Sequence, residues 1–327
     1  MSKENHAIAD YATDPRLDIG VKEFLKAINS GIPPLETLPP QVVREILMQA
    51  QASVIVNTSG IDVHERTIVS DGFSIQLYIV KPQNTTEKLP AFLFLHGGGW
   101  VVGDFETHKR LVRDLVFFSG AAAVFVNYSL APEAKYPQAL NEIYATLKWL
   151  AIHGDEIGID GERLAIVGNS AGGNMATVTS ILAKERKGPE IKLQVLLWPN
   201  LDINFDTGSY REFAEQRFLT KPFVEWIYDL YTSGQEQREL IYVSPLRASV
   251  DQLRGLPQAL IVTAENDILQ DEGEAYSRKL REAGVESASV CYKGMIHDFG
   301  VLNALAELPA TRSMVLHVAA TLRRYLF

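Results

Sequence analysis

The chain has 327 residues, 46% hydrophobic and 22% charged, enough to bury a core without disulfide or metal staples. Lys and Arg number 31 against 40 Asp and Glu, a formal net charge of −9. Such an acidic surface repels phosphate backbones and grips anionic lipid poorly, so neither nucleic acid nor a stable membrane association is expected.

In chain order, Met1 to His6 lack the basic patch and apolar run of a secretory signal. No stretch approaches roughly eighteen consecutive apolar residues, and the expected location is the cytoplasm. Residues 1–55 read as an arm of short helices and turns without a strand. Prolines cluster at Ile32-Pro33-Pro34 and Leu38-Pro39-Pro40, and Gln41 to Ala50 has helical spacing at Val42 and Ile46. From Arg66 the pattern changes: Thr67–Ser70 and Phe73–Val80 flank Asp71-Gly72, a hairpin signal.

Strands and helices then alternate. Ala91–Leu95, Ala122–Tyr128, Leu164–Val167, Leu193–Trp198, Ala259–Thr263 and Ser287–Tyr292 are apolar runs of the kind found in strands buried on both faces. Helical patterns lie near Thr107–Phe118, Gln138–His153, Ala171–Lys187, Asp271–Ala283 and Leu302–Leu326. The alternation predicts an α/β fold, a mostly parallel central sheet flanked by helices and led by an antiparallel hairpin. Between Trp198 and Pro257 the rhythm breaks, and Phe223, Trp226, Ile227, Leu230 and Tyr231 mark an amphipathic helix inside an insertion. Packing onto the main body is its first expected role. Cys291, the single cysteine, is expected as a packed core residue of the last strand.

The sharpest motif is Gly168-Asn169-Ser170-Ala171-Gly172-Gly173, directly between a strand and a helix. Gly-x-Ser-x-Gly alone is a weak signal, and an idle serine in a glycine-rich turn is the bland alternative. A strand-to-helix elbow, however, strains the serine and lifts its Oγ above the sheet, with a helix N-terminus favouring developing negative charge. His96-Gly97-Gly98-Gly99-Trp100, also directly after a strand, suits backbone donors for a tetrahedral oxyanion. As a nucleotide loop it fails, since it misses G-x-G-x-x-G and no Gly-Lys-Ser/Thr is present.

Serine needs a base, and seven histidines compete. His6 and His64 precede the expected sheet, His153 and His317 lie in helical patterns, and His96 and His108 flank the glycine loop. His297 alone lies in a loop after the last strand. Asp267 falls first in the loop after Ala259–Thr263, whereas Asp271 and Glu272 read as first-turn helix residues favoured by the dipole. The order Ser170, Asp267, His297 is that of nucleophile, acid and base in α/β hydrolases. No His/Cys cluster has zinc spacing, so neither metal nor cofactor is expected.

Together these motifs resemble the hormone-sensitive-lipase-like branch of the α/β hydrolases, the bacterial family IV esterases. The likeness runs from about Arg66 to the C-terminus and includes Asp267-x-Leu269-x-Asp271-Glu272-Gly273 and Tyr128-Ser129-Leu130-Ala131-Pro132-Glu133. It implies an α/β-hydrolase fold with a helical cap, made of the 1–55 arm and an insertion at about 201–250 within a catalytic domain over 56–327. It further implies an oxyanion hole of Gly98, Gly99 and Ala171, and a serine carboxylesterase acting on short- to medium-chain acyl esters. An amidase or peptidase on the same triad, or a non-catalytic small-molecule receptor of the same fold, is the rival reading. The expected partner is a small-molecule ester, and a homodimer is left open. The family often has aspartate at the position of Asn169, arginine at Ser129 and glycine at Asp298; none of these departures removes a triad member.

Overall fold

The computed structural model describes residues 10–31 and 33–327, so His6 and Ile32 lie outside the described residues. Ahead of the sheet come two helices, α1 (Ile19–Ile28), capped by the Asp18 side chain, and α2 (Pro40–Ala52), opened by a proline in its first turn. The hairpin follows as β1 (Ile61–Ser70) and β2 (Phe73–Pro82). Ser70 pairs with Phe73, leaving Asp71 and Gly72 as a two-residue loop with φ of 51° and 82°. This is the left-handed turn that matches strand twist. β1 starts at Ile61, earlier than the apolar signal at Thr67, because it is an edge strand whose partly exposed residues need no apolar alternation.

The parallel part comprises β3 (Leu89–Leu95), α3 (Phe105–Ser119), β4 (Ala122–Asn127), α4 (Gln138–His153), β5 (Ile159–Asn169), α5 (Ala171–Glu185) and β6 (Leu193–Leu197). Then come α6 (Gly208–Phe213), α7 (Lys221–Tyr231), α8 (Gln235–Arg238) and α9 (Val250–Leu253), followed by β7 (Gln258–Asn266), α10 (Gln270–Glu282), β8 (Ser287–Ile296) and α11 (Pro309–Leu326). The eight strands form one sheet in the order β1-β2-β4-β3-β5-β6-β7-β8, with β2 antiparallel to both neighbours and the rest parallel. This is the α/β-hydrolase arrangement read from the sequence. Every residue of β3 and β6 is buried, as double-sided cover requires. One apolar cluster joins α4, α5 and α10 to one face of the sheet, and a second joins α1, α3 and α11 to the other.

Four expectations need correction. β8 is not buried on both faces: it is the far edge strand, with Ala288 and Ser289 exposed. Cys291 on it is therefore half-buried instead of a core residue, its Sγ 3.7 Å from Gln270 Nε2. The last helix starts at Pro309, not Leu302. Asn303 instead opens a separate short turn of 3-10 helix, Asn303–Leu305, held by Gln51, which accepts its backbone N–H and whose carbonyl accepts its side-chain amide. The apolar stripe of α7 is also rotated: Val224, Ile227, Tyr228 and Tyr231 are buried, while Phe223, Trp226 and Leu230 are only half-covered.

The arm is pinned at several places. Gln51 of α2 is buried and donates to the carbonyls of Thr107 and Val301. Asp14, before α1, accepts from Arg16 at 2.8 Å and from Arg217 of the insertion at 2.7 Å, while Arg16 also pairs with Glu212. Phe24 of α1 packs its ring on Phe218.

Candidate active site

Parallel strands all end on one side of the sheet, and the loops leaving those ends are where reactive groups collect. β3 delivers the His96–Trp100 loop, β5 delivers Ser170, β7 delivers Asp267 and β8 delivers His297. Between β5 and α5 the turn is so tight that Ser170 has φ 52° and ψ −120°, outside the comfortable regions for a side-chain-bearing residue. The surroundings hold it there. Its N–H donates to Leu197 O at 2.9 Å, and its carbonyl accepts from Asn174 N at 3.0 Å and Asn200 N at 3.2 Å.

The three residues singled out in the sequence meet. His297 Nε2 lies 2.9 Å from Ser170 Oγ, and His297 Nδ1 lies 2.7 Å from Asp267 Oδ2. Asp267 Oδ1 accepts the N–H of Leu269 at 3.0 Å, which fixes the carboxylate. A carboxylate only accepts, so the imidazole proton resides on Nδ1 and leaves Nε2 free to receive the serine proton. All three are buried, with 6%, 1% and 3% of Ser170, Asp267 and His297 exposed. Burial disfavours the imidazolium, but the carboxylates of Asp267 and Asp298 outweigh it, and His297 titrates above the ordinary histidine value.

The glycine loop runs through positive φ at Gly98 (103°), Gly99 (61°) and Trp100 (61°). It is closed by Val101 N and Val102 N donating to Gly98 O. Gly97 N donates to Asn169 Oδ1 at 2.9 Å, which ties the loop to the turn that holds Ser170. Ala171 opens α5 immediately after Ser170.

The remaining histidines do other things. His96 Nδ1 is 2.7 Å from Gly97 O, and His108 Nδ1 is 3.0 Å from Thr107 Oγ1. Burial pushes both down to about 4, so at neutral pH they are uncharged. His153 pairs with Glu156 at the surface, and His64 and His317 sit on β1 and α11.

Two contributors were not legible as such. Asp298 was visible only as a departure from the family pattern, yet it stands against the imidazole: one oxygen is 3.9 Å from His297 Nε2, the other accepts from Trp198 Nε1 at 2.6 Å. Glu272, read as a first-turn helix residue, does lie in the first turn of α10, but its buried side chain accepts the N–H groups of Leu201 and Asp202. It thereby holds the loop after β6 that brings Asn200 to Ser170. Burial drives its carboxyl well above the usual range. Spacing could not reveal this, because an acid two residues into a helix is already accounted for by the dipole.

Among the described residues no group of three or more His, Cys, Asp or Glu side chains is arranged to hold a metal ion, and no helix is long and apolar enough to cross a membrane. A sheet of this order with a strained strand-to-helix serine defines an α/β hydrolase. Consistently, residues 92–301 match the family model described as the alpha/beta hydrolase fold. The chain is 33% identical over 253 residues to an ethyl acetate hydrolase of Pseudomonas putida, covering 76% of this chain and 79% of that one. It is 32% identical over 266 residues to a carboxylesterase of Mycobacterium tuberculosis, covering 81% and 83%. Among solved structures, a thermostable esterase from Pseudomonas putida ECU1011 superposes with a TM-score of 0.95 at 52% identity, covering 96% of this chain and 98% of that one. The chain belongs to the α/β-hydrolase family, in its hormone-sensitive-lipase-like branch, the family IV esterases.

Proposed function

We propose that this enzyme, a carboxylic ester hydrolase, cleaves short- to medium-chain acyl esters through an acyl-enzyme on Ser170. The reading rests above all on the uninterrupted hydrogen-bond run from Ser170 Oγ through His297 to Asp267, all buried at the strand ends. Ser170 Oγ attacks the ester carbonyl as its proton passes to His297 Nε2. Asp267 holds the Nδ1–H tautomer and stabilises the imidazolium. The tetrahedral oxyanion is met by the N–H groups of Gly98, Gly99 and Ala171. Collapse expels the alcohol, which takes the proton from His297. Water, deprotonated in turn by His297, then attacks the acyl-serine; His297 returns the proton to the leaving Ser170 Oγ and the acid is released.

The arm over residues 1–55 and the insertion near 201–250 act as one cap. The Asp14–Arg217 pair and the Phe24–Phe218 contact, which join the two segments, support this assignment. So does the place of Ile227 of α7, which a Cβ on Gly99 would meet at 2.6 Å.

The test is covalent. A p-nitrophenyl organophosphonate should label the wild type at Ser170 alone, and Ser170→Ala should lose several orders of magnitude in kcat on p-nitrophenyl butyrate while remaining folded. Label on another serine, or near-normal turnover by the variant, overturns the assignment. The matching anilide run alongside separates an amidase from an esterase.

A further inference from the structure

Asn169 ends β5 beside the nucleophile, yet its side chain takes no part in the Ser170–His297–Asp267 run. It is completely buried and both ends of its amide are used. Oδ1 accepts the N–H of Gly97 at 2.9 Å, and Nδ2 donates to Asp298 Oδ1 at 2.9 Å. The packing is close enough that a Cβ on Gly97 would sit 2.4 Å from Asn169 Nδ2. Asp298 Oδ1 also takes the indole N–H of Trp198, and its other oxygen faces His297 Nε2 at 3.9 Å. One amide thus bridges the glycine loop to the carboxylate that flanks the candidate base.

The chemistry of the bridge allows one residue type. A carboxylate at position 169 could still accept from Gly97, but its second oxygen would face Asp298 oxygen-to-oxygen across the same short gap. Two carboxylates that close cannot both ionise without repulsion. The neighbouring titratable groups give no relief. His108 of α3 has its Nε2 3.5 Å from Asn169 Nδ2, and His96 lies 5.4 Å from His108 between ring centres. Both are neutral near pH 7, and Asp104, at the head of α3, adds only negative charge. Asp267 faces the opposite side of His297.

We propose that Asn169 is a positioning residue that ties the oxyanion loop to the Asp298 carboxylate beside His297, and that an amide is required there because its partner is a carboxylate. The inference rests on the proposed roles of Ser170, His297 and the glycine loop. It makes Asn169 and Asp298, which both depart from the residues the family often has, a single coupled change.

The experiment compares wild type, Asn169→Asp, Asp298→Asn and the double swap Asn169→Asp/Asp298→Asn in kcat and KM for p-nitrophenyl butyrate from pH 5.5 to 9.5, with thermal melts to establish folding. In Asn169→Asp the carboxyl pair shares a proton at low pH and loses it on the alkaline side. Repulsion then pulls the loop from its place, so kcat, far more than KM, should fall roughly tenfold or more between pH 7 and 9. In the double swap the amide moves to position 298, where its Nδ2, standing where Asp298 Oδ1 took both bonds, donates to the new carboxylate at position 169 at the cost of the Trp198 contact, and the carboxylate-carboxylate repulsion is gone. The alkaline side should then be flat again. Asp298→Asn alone removes one carboxylate from His297 and should shift the acid limb to lower pH. A wild-type alkaline profile in Asn169→Asp, or a fall that the double swap does not restore in a folded protein, overturns the proposal. Should Asn169→Asp not fold, the other two variants decide: an unshifted acid limb in Asp298→Asn, or a falling alkaline limb in the double swap, overturns it. Failure of the triad itself would read differently, as esterase activity surviving in Ser170→Ala whatever position 169 does.

Discussion

At the scale of single residues, His297 is set by opposing effects. Its burial favours the neutral ring, and Asp267 and Asp298 favour the charged one and win. A base must be neutral to take the serine proton, so a raised value moves the loss of activity to higher pH. The acid limb of kcat/KM on p-nitrophenyl acetate should have its midpoint above the ordinary value of about 6.5; a midpoint below that value would contradict the electrostatics of the site. Two glycines of the loop, Gly98 and Gly99, separate stability from chemistry. At Gly98, with φ 103°, a Cβ would lie 2.2 Å from the carbonyl oxygen of Val102, which is backbone and cannot step aside. At Gly99, with φ 61°, the obstacle is the buried Ile227 side chain, met at 2.6 Å by Cδ1 and at 3.0 Å by Cβ, so α7 itself has to give a little. Gly99→Ala should therefore cost at least about 1–2 kcal/mol of stability, the penalty for a left-handed alanine alone. A displaced oxyanion donor would lower kcat by roughly 10²–10³-fold. Gly98→Ala should lose fold and activity together. Melts and kcat on the two variants distinguish these outcomes.

At the scale of elements, the arm and the insertion are held by charge as much as by apolar contact. The side chains of Asp14 and Arg217 are 1% and 2% exposed, and Arg16 completes the cluster. Removing one partner of a buried pair costs about 3–5 kcal/mol, so Asp14→Asn should lower the melting temperature clearly and free the arm for proteolysis. The hydrogen bond from Arg16 holds the Asp14 carboxyl below its usual value. Its stabilising effect is therefore complete above the ordinary aspartate value of about 3.9 and is lost as the pH drops through the lowered native value. Limited proteolysis with an acid-active protease across that range should show the wild-type arm loosening where Asp14→Asn shows no further change. An arm equally resistant in both proteins would mean that α1 is held by its apolar face alone, Val21 and Leu25.

At the scale of the whole molecule, acyl selectivity belongs to no single segment. Ser170, Asp267 and His297 are buried, and with the arm and the insertion capping them as proposed, the acyl chain enters a space of finite depth. Each methylene buried there is worth about 0.8 kcal/mol until the space is full, after which further length gains nothing or clashes. Along a series of p-nitrophenyl esters kcat/KM should rise from acetyl to butyryl or hexanoyl and fall by dodecanoyl, without a jump when substrate passes its solubility. A steady climb to palmitoyl, or activation on emulsified triglyceride, would make the cap a lipase lid.

The residues that fold locally could be read directly from the sequence. Asp71-Gly72 dictated its turn, the runs around Leu93, Ile166 and Val195 declared buried strands, and Gly168–Gly173 with its flanking strand and helix announced a nucleophile elbow. Period and turn chemistry act over a few residues, so a linear string contains them. The order of the strands placed Asp267 and His297 at successive strand ends, and that much of the site was legible as well. Tertiary structure alone decided the rest. Cys291 and the rotated face of α7 depend on which strand lies at an edge and which side of a helix meets the body, and no local pattern encodes either. Asp298 and Glu272 gained their roles from partners 129 and 71 residues away in sequence, Asn169 and Leu201. A buried carboxylate has to find donors wherever the fold supplies them, and which donors those are is known only once the chain has closed around it.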